Sequence, residues 1–301
     1  MLILIFSRNN QFSNNILNYL LKKCCLKSVW ATPKYQNPLE IFEVYVDNKK
    51  IEKVKAITVN DFLYLTNDDV DAIEQEIKDR CTFIIISTHK SETQKIDTIS
   101  IHFCGNFNKN ELGGEEENFS IAYLDAFESI YKNISKDNTK PKKLEFLLEA
   151  THHGPTLERE VLYFEIGPDN KAYDNQEYQK YYINKLMQAI ETKEIKPSTP
   201  YILIGAPHYL DNKLINSIKD KLKTKYNIET VIFSHILPKY SLNEILKKED
   251  LHIEKIIRKL IDCSKTENFI INKDYMKSLI RLINILDKIK KDREGVNYKI
   301  I

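Results

Sequence analysis

Glu149-Ala150-Thr151-His152-His153-Gly154-Pro155-Thr156 follows the largely apolar run Leu144 to Leu148. It reads as the end of a buried strand opening into a tight polar loop. Two adjacent histidines, a carboxylate three residues before them and two threonine hydroxyls are costly to place at a strand end. The Gly154-Pro155 pair turns the backbone there and holds it. Structural segments seldom need this combination, whereas sites that handle metals or protons do.

The same pattern recurs outward from this loop. The chain has 7 histidines, and all but His252 lie just past an expected strand. His89 follows Phe83–Ile86, and His102 follows Thr98–Ile101. His208 follows Tyr201–Ile204, and His235 follows Val231–Phe233. In open α/β sheets ligands bind outside the carboxyl ends of the strands. If these strands are parallel, the imidazoles crowd one edge of one sheet. Glycine points the same way: of only 7 in the chain, Gly105, Gly113, Gly114, Gly154 and Gly205 lie in or beside the histidine loops. Pro155, Pro207 and Pro238 flank the same histidines.

The remaining periodicity alternates strands with helices. Leu2–Phe6 reads as a strand, Asn14–Lys23 as a helix, and Ile41–Val46 with Ile51–Val59 as a hairpin turning at Asp47-Asn48. Helices are expected over Val70–Ile77, Ala122–Ile134, Tyr178–Ile190 and Lys213–Lys223, and a further strand over Val161–Ile166. From about Ser241 strand signals stop, leaving the amphipathic patterns Leu251–Ile261 and Met276–Ile289. The expected fold is α/β: a mainly parallel sheet flanked by helices over residues 1–240, with residues 241–301 as a helical appendage packed on it.

Composition bounds the class. With 301 residues, 42% hydrophobic and 29% charged, the chain can bury a sizeable core as a globular protein. Runs such as Leu2–Phe6 are too short to span a bilayer, and Met1–Phe6 lacks a signal peptide's basic start, so the expected address is the cytoplasm. The 5 cysteines (Cys24, Cys25, Cys81, Cys104, Cys263) show no CxxC spacing, which disfavours a disulfide framework or zinc knuckle. A formal charge of +2 leaves no strong nucleic-acid footprint in the total.

Simpler readings stand beside these. A single strand-end histidine is commonly a packed residue, which suits His235 and His252 best. Adjacent strand residues face opposite sides, so His152 and His153 cannot both point one way unless the backbone turns between them. Cys104 reads as a small buried filler, and Gly113-Gly114-Glu115-Glu116-Glu117 as a flexible acidic turn. The chain has no GxGxxG, GxxxxGK[ST] or GxSxG, so dinucleotide, P-loop and serine-hydrolase readings lose their main support.

With these loops assembled, the chain resembles the archaeal and plant type of D-aminoacyl-tRNA deacylase, the second, zinc-dependent kind. The resemblance rests on Ser87-Thr88-His89-Lys90-Ser91, His102-Phe103-Cys104-Gly105-Asn106, Gly113-Gly114 and the double-histidine segment. Gly205-Ala206-Pro207-His208-Tyr209 and His235-Ile236-Leu237-Pro238-Lys239-Tyr240 complete it. These segments span about residues 1–245 in the family's order, and the C-terminal helices extend beyond the expected family core. The resemblance implies a phosphorylase/hydrolase-like fold and zinc-assisted hydrolysis of the ester joining a D-amino acid to the tRNA 3′ end.

On that reading His89, His152 and His208 are the first candidates for zinc ligands, with His102 and Glu149 next. His153 would be a supporting partner or general base, and Thr151 and Thr156 could orient water or the terminal ribose. Lys90 and Lys239 could hold acceptor-end phosphates and Tyr209 could stack on the terminal adenine, with Gly105, Asn106 and Gly154 shaping the substrate site. The expected partner is the acceptor end of D-aminoacyl-tRNA, with no membrane, and the protein is expected to act as a monomer. Competing readings are another metal-dependent hydrolase, a non-catalytic tRNA-binding protein and a histidine-rich metal carrier.

Overall fold

The computed structural model describes residues 1–23, 25–32, 39–91, 95–191, 198–273 and 279–301. Its first third comprises β1 (Leu2–Ser7), α1 (Gln11–Lys22), β2 (Leu26–Thr32), β3 (Leu39–Val46), β4 (Lys49–Val59), α2 (Asn67–Ile77) and β5 (Thr82–Thr88). There follow β6 (Thr98–His102), β7 (Gly105–Asn106), β8 (Asn118–Phe119), β9 (Ile121–Ala122), α3 (Leu124–Ser135), β10 (Glu145–Glu149) and β11 (Glu160–Gly167). Next come α4 (Asn170–Tyr173), α5 (Gln176–Glu191), β12 (Thr199–Ala206), β13 (Tyr209–Asp211), α6 (Asn212–Tyr226) and β14 (Val231–Pro238). The chain closes with α7 (Lys239–Ile245), α8 (Asp250–Ser264), β15 (Asn268–Ile271), α9 (Leu279–Asp292) and β16 (Asn297–Ile300).

The larger sheet runs in the order β13-β10-β6-β11-β5-β1-β4-β3-β2, with β9 added beside β11. It is α/β as expected, but its parallel character is interrupted in the middle. β4, β1, β5 and β11 run one way, while β6 and β10 run together in the opposite sense. The expectation of one shared carboxyl edge for the loops after β5, β6 and β10 is therefore corrected. A second sheet, ordered β14-β12-β15-β16, is parallel throughout.

Alternation along the strands divides the larger sheet cleanly. Leu4, Phe6, Ile84, Ile86, Leu162, Phe164, Ile99, Ile101, Phe146 and Leu148 point to one face, where apolar residues of α1, α3, α5 and α6 cover them. On the other face Ile3, Ile5, Phe83, Ile85 and Tyr163 pack beneath α2. The next residues on that second face are Ser87, Ser100, His102, Glu149 and Glu165, all buried. A continuous apolar floor thus gives way to a polar one.

Residues 241–301 carry α7, α8 and α9, but they also supply β15 and β16, so the strand-free reading of this segment is corrected. Residues 276–278 of the expected last helix lie outside the described residues. α7, α8 and α9 bury Leu242, Ile253, Ile257, Leu260, Leu282 and Leu286 against Ile202, Ile204, Phe269 and Ile271 of the small sheet. Among the described residues no helix is long and apolar enough to cross a membrane.

Candidate active site

The site forms where the two sheets meet. The loop after β10 leaves the large sheet and is held by β14 of the small one: Thr151 N–H donates to the Ile236 carbonyl at 2.9 Å. In return Ile236 N–H donates to Thr151 Oγ1 at 3.0 Å. The segment between β12 and β13 crosses from small sheet to large, and on it the His208 carbonyl accepts from Ala150 N–H at 2.7 Å. Five separate stretches of chain, carrying His89, His102, Glu149 to His153, Glu165 and His208, deliver side chains to one place.

His153 adopts φ 46°, a left-handed conformation uncommon for a residue with a side chain. That turn lets both adjacent imidazoles face the same way, with ring centroids 4.3 Å apart. Gly154 follows, and it is required where it stands: a Cβ there would lie 2.3 Å from the Gly114 backbone nitrogen. The Gly113-Gly114 turn is thus packed against the double-histidine loop.

Around Glu149 the rings converge. Its Oε2 lies 3.1 Å from His89 Nδ1, 3.5 Å from His208 Nε2 and 3.9 Å from His152 Nε2. Glu165, from the middle of β11, comes within 3.4 Å of His102 Nε2 and 3.9 Å of His89 Nδ1. His102 stacks on Tyr163 at 4.8 Å and lies 4.3 Å from the His152 ring. Among the described residues, donor atoms fall into three groups that could hold a cation: His102, His152 and His153; Glu149, His152 and His208; His89, Glu149 and Glu165.

Hydrogen bonds determine which ring nitrogen faces this centre. Nδ1 of His152 meets the Ala150 carbonyl at 2.8 Å, and Nδ1 of His153 meets the Gly154 carbonyl at 2.7 Å. Nδ1 of His102 meets the Phe103 carbonyl at 3.2 Å. A carbonyl only accepts, so the proton sits on Nδ1 and the Nε2 lone pair is left for the centre, the arrangement found in metal-binding histidines. Glu149 Oε1 is buried without a hydrogen-bond partner, and Glu149 Oε2 and His102 Nε2 have only the imidazole and carboxylate contacts above, none with the geometry of a formed hydrogen bond. Such orphaned atoms are expensive unless a ligand satisfies them. The donor set, imidazole nitrogen and carboxylate oxygen, suits zinc.

Electrostatics follow the same layout. Burial, with the charges of His153 and His102 nearby, holds His152 well below the usual imidazole range. Burial and His102 bring His153 down to about 3. Burial also works against the charged form of His89, but Glu149 and Glu165 outweigh it and raise its pKa. His102 is raised likewise, burial being overcome by Glu165. Glu149 is held well below the carboxylate range, because His208 and His89 outweigh the burial that would raise it. Neutral His152 and His153 thus sit beside an ionised Glu149 at neutral pH.

The sequence-predicted residues fall as follows. His89, His102, His152, His153, His208 and Glu149 come together. His89 shares a donor group with Glu149 and Glu165 and not with His152 and His208, whereas His153 shares one with His102 and His152. Thr151 Oγ1 is taken by Ile236, and Thr156 Oγ1 accepts from Glu115 N–H at 2.9 Å, so both hydroxyls brace loops. Asn106 donates to the carbonyls of Gly113 and Glu115, and the Gly105 N–H donates to the His153 carbonyl. Tyr209 packs edge-on between His89 and His208, at 5.3 and 4.4 Å. Lys90 and Lys239 are exposed, Lys90 one residue past His89 and Lys239 at the start of α7.

Two histidines stand apart. His235 is buried against Phe103 and Phe119 with Nδ1 2.9 Å from Ser264 Oγ, and His252 pairs with Glu117 at 2.7 Å. Cys104 is fully buried, which pushes its thiol up to about 12 and fits a packing role. Sequence reasoning missed Glu165, although a lone carboxylate within Val161–Ile166 was visible, and Tyr240, whose hydroxyl is 3.2 Å from His208 Nδ1. Beside the centre lies a cavity of about 660 Å³, lined in part by His152, His153, Tyr240, Glu116 and Lys248.

Fold and centre together define an α/β protein with a buried cluster of imidazoles and carboxylates able to hold a cation. Residues 77–291 match the sequence profile described as D-aminoacyl-tRNA deacylase, and the chain belongs to that family of hydrolases. The match starts later and runs further than the resemblance in single segments indicated, taking in most of residues 241–301. The D-aminoacyl-tRNA deacylase of Sulfurisphaera tokodaii is 29% identical over 198 residues, which is 65% of this chain and 78% of that protein. That of Ignicoccus hospitalis is 28% identical over 203 residues, 66% of this chain and 74% of that protein. The crystal structure of a conserved protein of unknown function shares the fold, with a TM-score of 0.76 at 16% identity, covering 100% of this chain and 95% of that one.

Proposed function

We propose that the protein hydrolyses the ester joining a D-amino acid to the 3′ end of tRNA, with zinc, releasing free D-amino acid and tRNA. The observation that carries the zinc assignment is the set of Nε2 atoms of His102, His152 and His153, each freed by a carbonyl on Nδ1, beside the orphaned Glu149 carboxylate. His102, His152 and His153 would hold the ion, with His208 and Glu149 next to them. When bound, zinc supplies a Lewis acid and a water acidified toward neutral pH.

The chain's own groups do the rest. Glu149 and Glu165 favour the charged form of His89 against its burial, and that imidazolium would give a proton to the departing ribose oxygen. Tyr209 and Tyr240 flank His208 and narrow the approach, and the cavity beside His152 receives the aminoacyl group. The protein would act as a monomer in the cytoplasm.

The test is elemental analysis of the purified protein, followed by deacylation of D-Tyr-tRNA before and after chelation. Zinc bound near stoichiometrically and activity lost on chelation are expected. Full activity in metal-free protein would remove the metal, and inertness toward every D-aminoacyl-tRNA would remove the substrate.

A further inference from the structure

α6 is the most basic element among the described residues. It carries Lys213, Lys219, Lys221, Lys223 and Lys225 against the single carboxylate Asp220, in a protein whose formal charge is only +2. Ile215, Ile218 and Leu222 fasten one side of the helix to the core, and Lys213, Lys221, Lys223 and Lys225 are exposed. Positions 213, 217, 221 and 225 recur every fourth residue, so they stand one above another along a single helix face.

Lys213, Lys221 and Lys225 line a groove of about 730 Å³ together with Lys273, which follows β15. Asn216, Ser217 and Thr224 add neutral hydrogen-bonding groups, and Asp220 is its one carboxylate side chain. Lys225 donates to the Ile300 carbonyl at 2.9 Å, and Lys223 pairs with Glu229 at 3.5 Å. Like charges four residues apart work against a helix. An extended anion laid along the groove would reverse that repulsion.

Position gives the groove its meaning. Tyr209 of β13 pairs with Glu149, and β13 runs directly into α6 with Asp211 as the helix cap. The lysine stripe therefore begins five residues past His208 and, from Lys213 to Lys225, runs for about 18 Å. The other flank is unsuited to a polyanion: the 660 Å³ cavity there is lined by Glu111, Glu116, Glu117 and Glu244 against Lys109 and Lys248.

We infer that α6 and Lys273 form the track for the sugar–phosphate backbone of the RNA stem whose 3′ end enters the histidine centre, an inference that rests on the proposed reaction. Lysine ammonium groups meet phosphates as point charges and need no sequence, as a protein acting on many tRNAs requires.

The experiment uses the full chain and its Lys213→Gln/Lys221→Gln/Lys225→Gln variant, with circular dichroism and melting confirming that these surface changes leave the fold intact. Fluorescence anisotropy with uncharged tRNA is measured from about 50 to 200 mM KCl, and the variant's plot of log affinity against log salt should be shallower by about 2 to 3. Its KM for D-aminoacyl-tRNA should rise at least tenfold with kcat held, while hydrolysis of the same ester on adenosine alone stays unchanged. Equal salt slopes in the two proteins would overturn the track even if deacylation proceeds. Different slopes with an untouched ester would instead remove the reaction and leave the track standing.

Discussion

His89 and Glu149 meet at 3.1 Å, Nδ1 to Oε2, with both side chains sealed from solvent. The same carboxylate oxygen is within 4 Å of His152 and His208, so a single negative charge organises three imidazoles. Glu149→Gln keeps the volume and removes the charge. Deacylation by this variant should fall by about 100-fold or more in kcat/KM, with a loss of bound metal on the order of 10- to 100-fold in affinity. Single-turnover hydrolysis and equilibrium dialysis against zinc would measure the two separately.

Thr151→Val should act on stability before chemistry. The substitution preserves shape but removes the oxygen that accepts the Ile236 N–H, leaving a buried donor unpaired. A cost of about 1–3 kcal/mol is expected in urea unfolding, with Thr151→Ser recovering most of it.

Gly154→Ala tests the packing of the two glycine-bearing loops. A new Cβ would sit 2.3 Å from the Gly114 backbone and 2.6 Å from the Leu63 carbonyl oxygen, atoms that cannot rotate away. Displacement of the double-histidine loop should cost about 1–3 kcal/mol and most of the activity. Thermal melting and the deacylation assay report the two losses.

Acid should unfold the protein partly through His235. Its burial brings the imidazole down to about 3, far from the 6.5 of a free side chain. The folded state keeps it neutral while the unfolded chain takes up a proton. The stabilisation it gives is therefore whole above about pH 6.5 and is lost as pH falls toward about 3. His235→Gln should flatten the fall in unfolding free energy across that window. An unchanged pH profile in the variant would count against this assignment.

Much of the fold could be read from local pattern. Asp47 and Asn48 take φ 48° and 63°, the hairpin turn that an Asp-Asn pair between two apolar strands announces. The relative direction of strands could not be read, because β6 and β10 look locally like any buried strand and their reversal against β11 is set by distant pairing. β15 and β16 escaped for a related reason. Four residues each are too few to display a period, and their identity comes from lying beside β12 and beside each other.

The site was legible in its members more than in its geometry. Unusual loop chemistry named His89, His102, His152, His153, His208 and Glu149, which do gather. They gather on a sheet face and not along a rim. The backbone turn at His153 that makes this work depends on φ alone. Glu165 was passed over because a strand that is otherwise Val, Leu, Tyr, Phe and Ile reads as pure core. Thr151 and Thr156 were legible as polar, but their engagement with Ile236 and Glu115 depends on which loops touch.

The crossing of the chain at His208, from β12 in one sheet to β13 in the other, has a bearing on how such a protein ages and fails. His208 and Tyr240 reach the pocket from the side of the second slab while its other members belong to the first, so a slight parting of the two would draw these away while each slab kept its own core. Loss of function should then precede loss of ellipticity on warming.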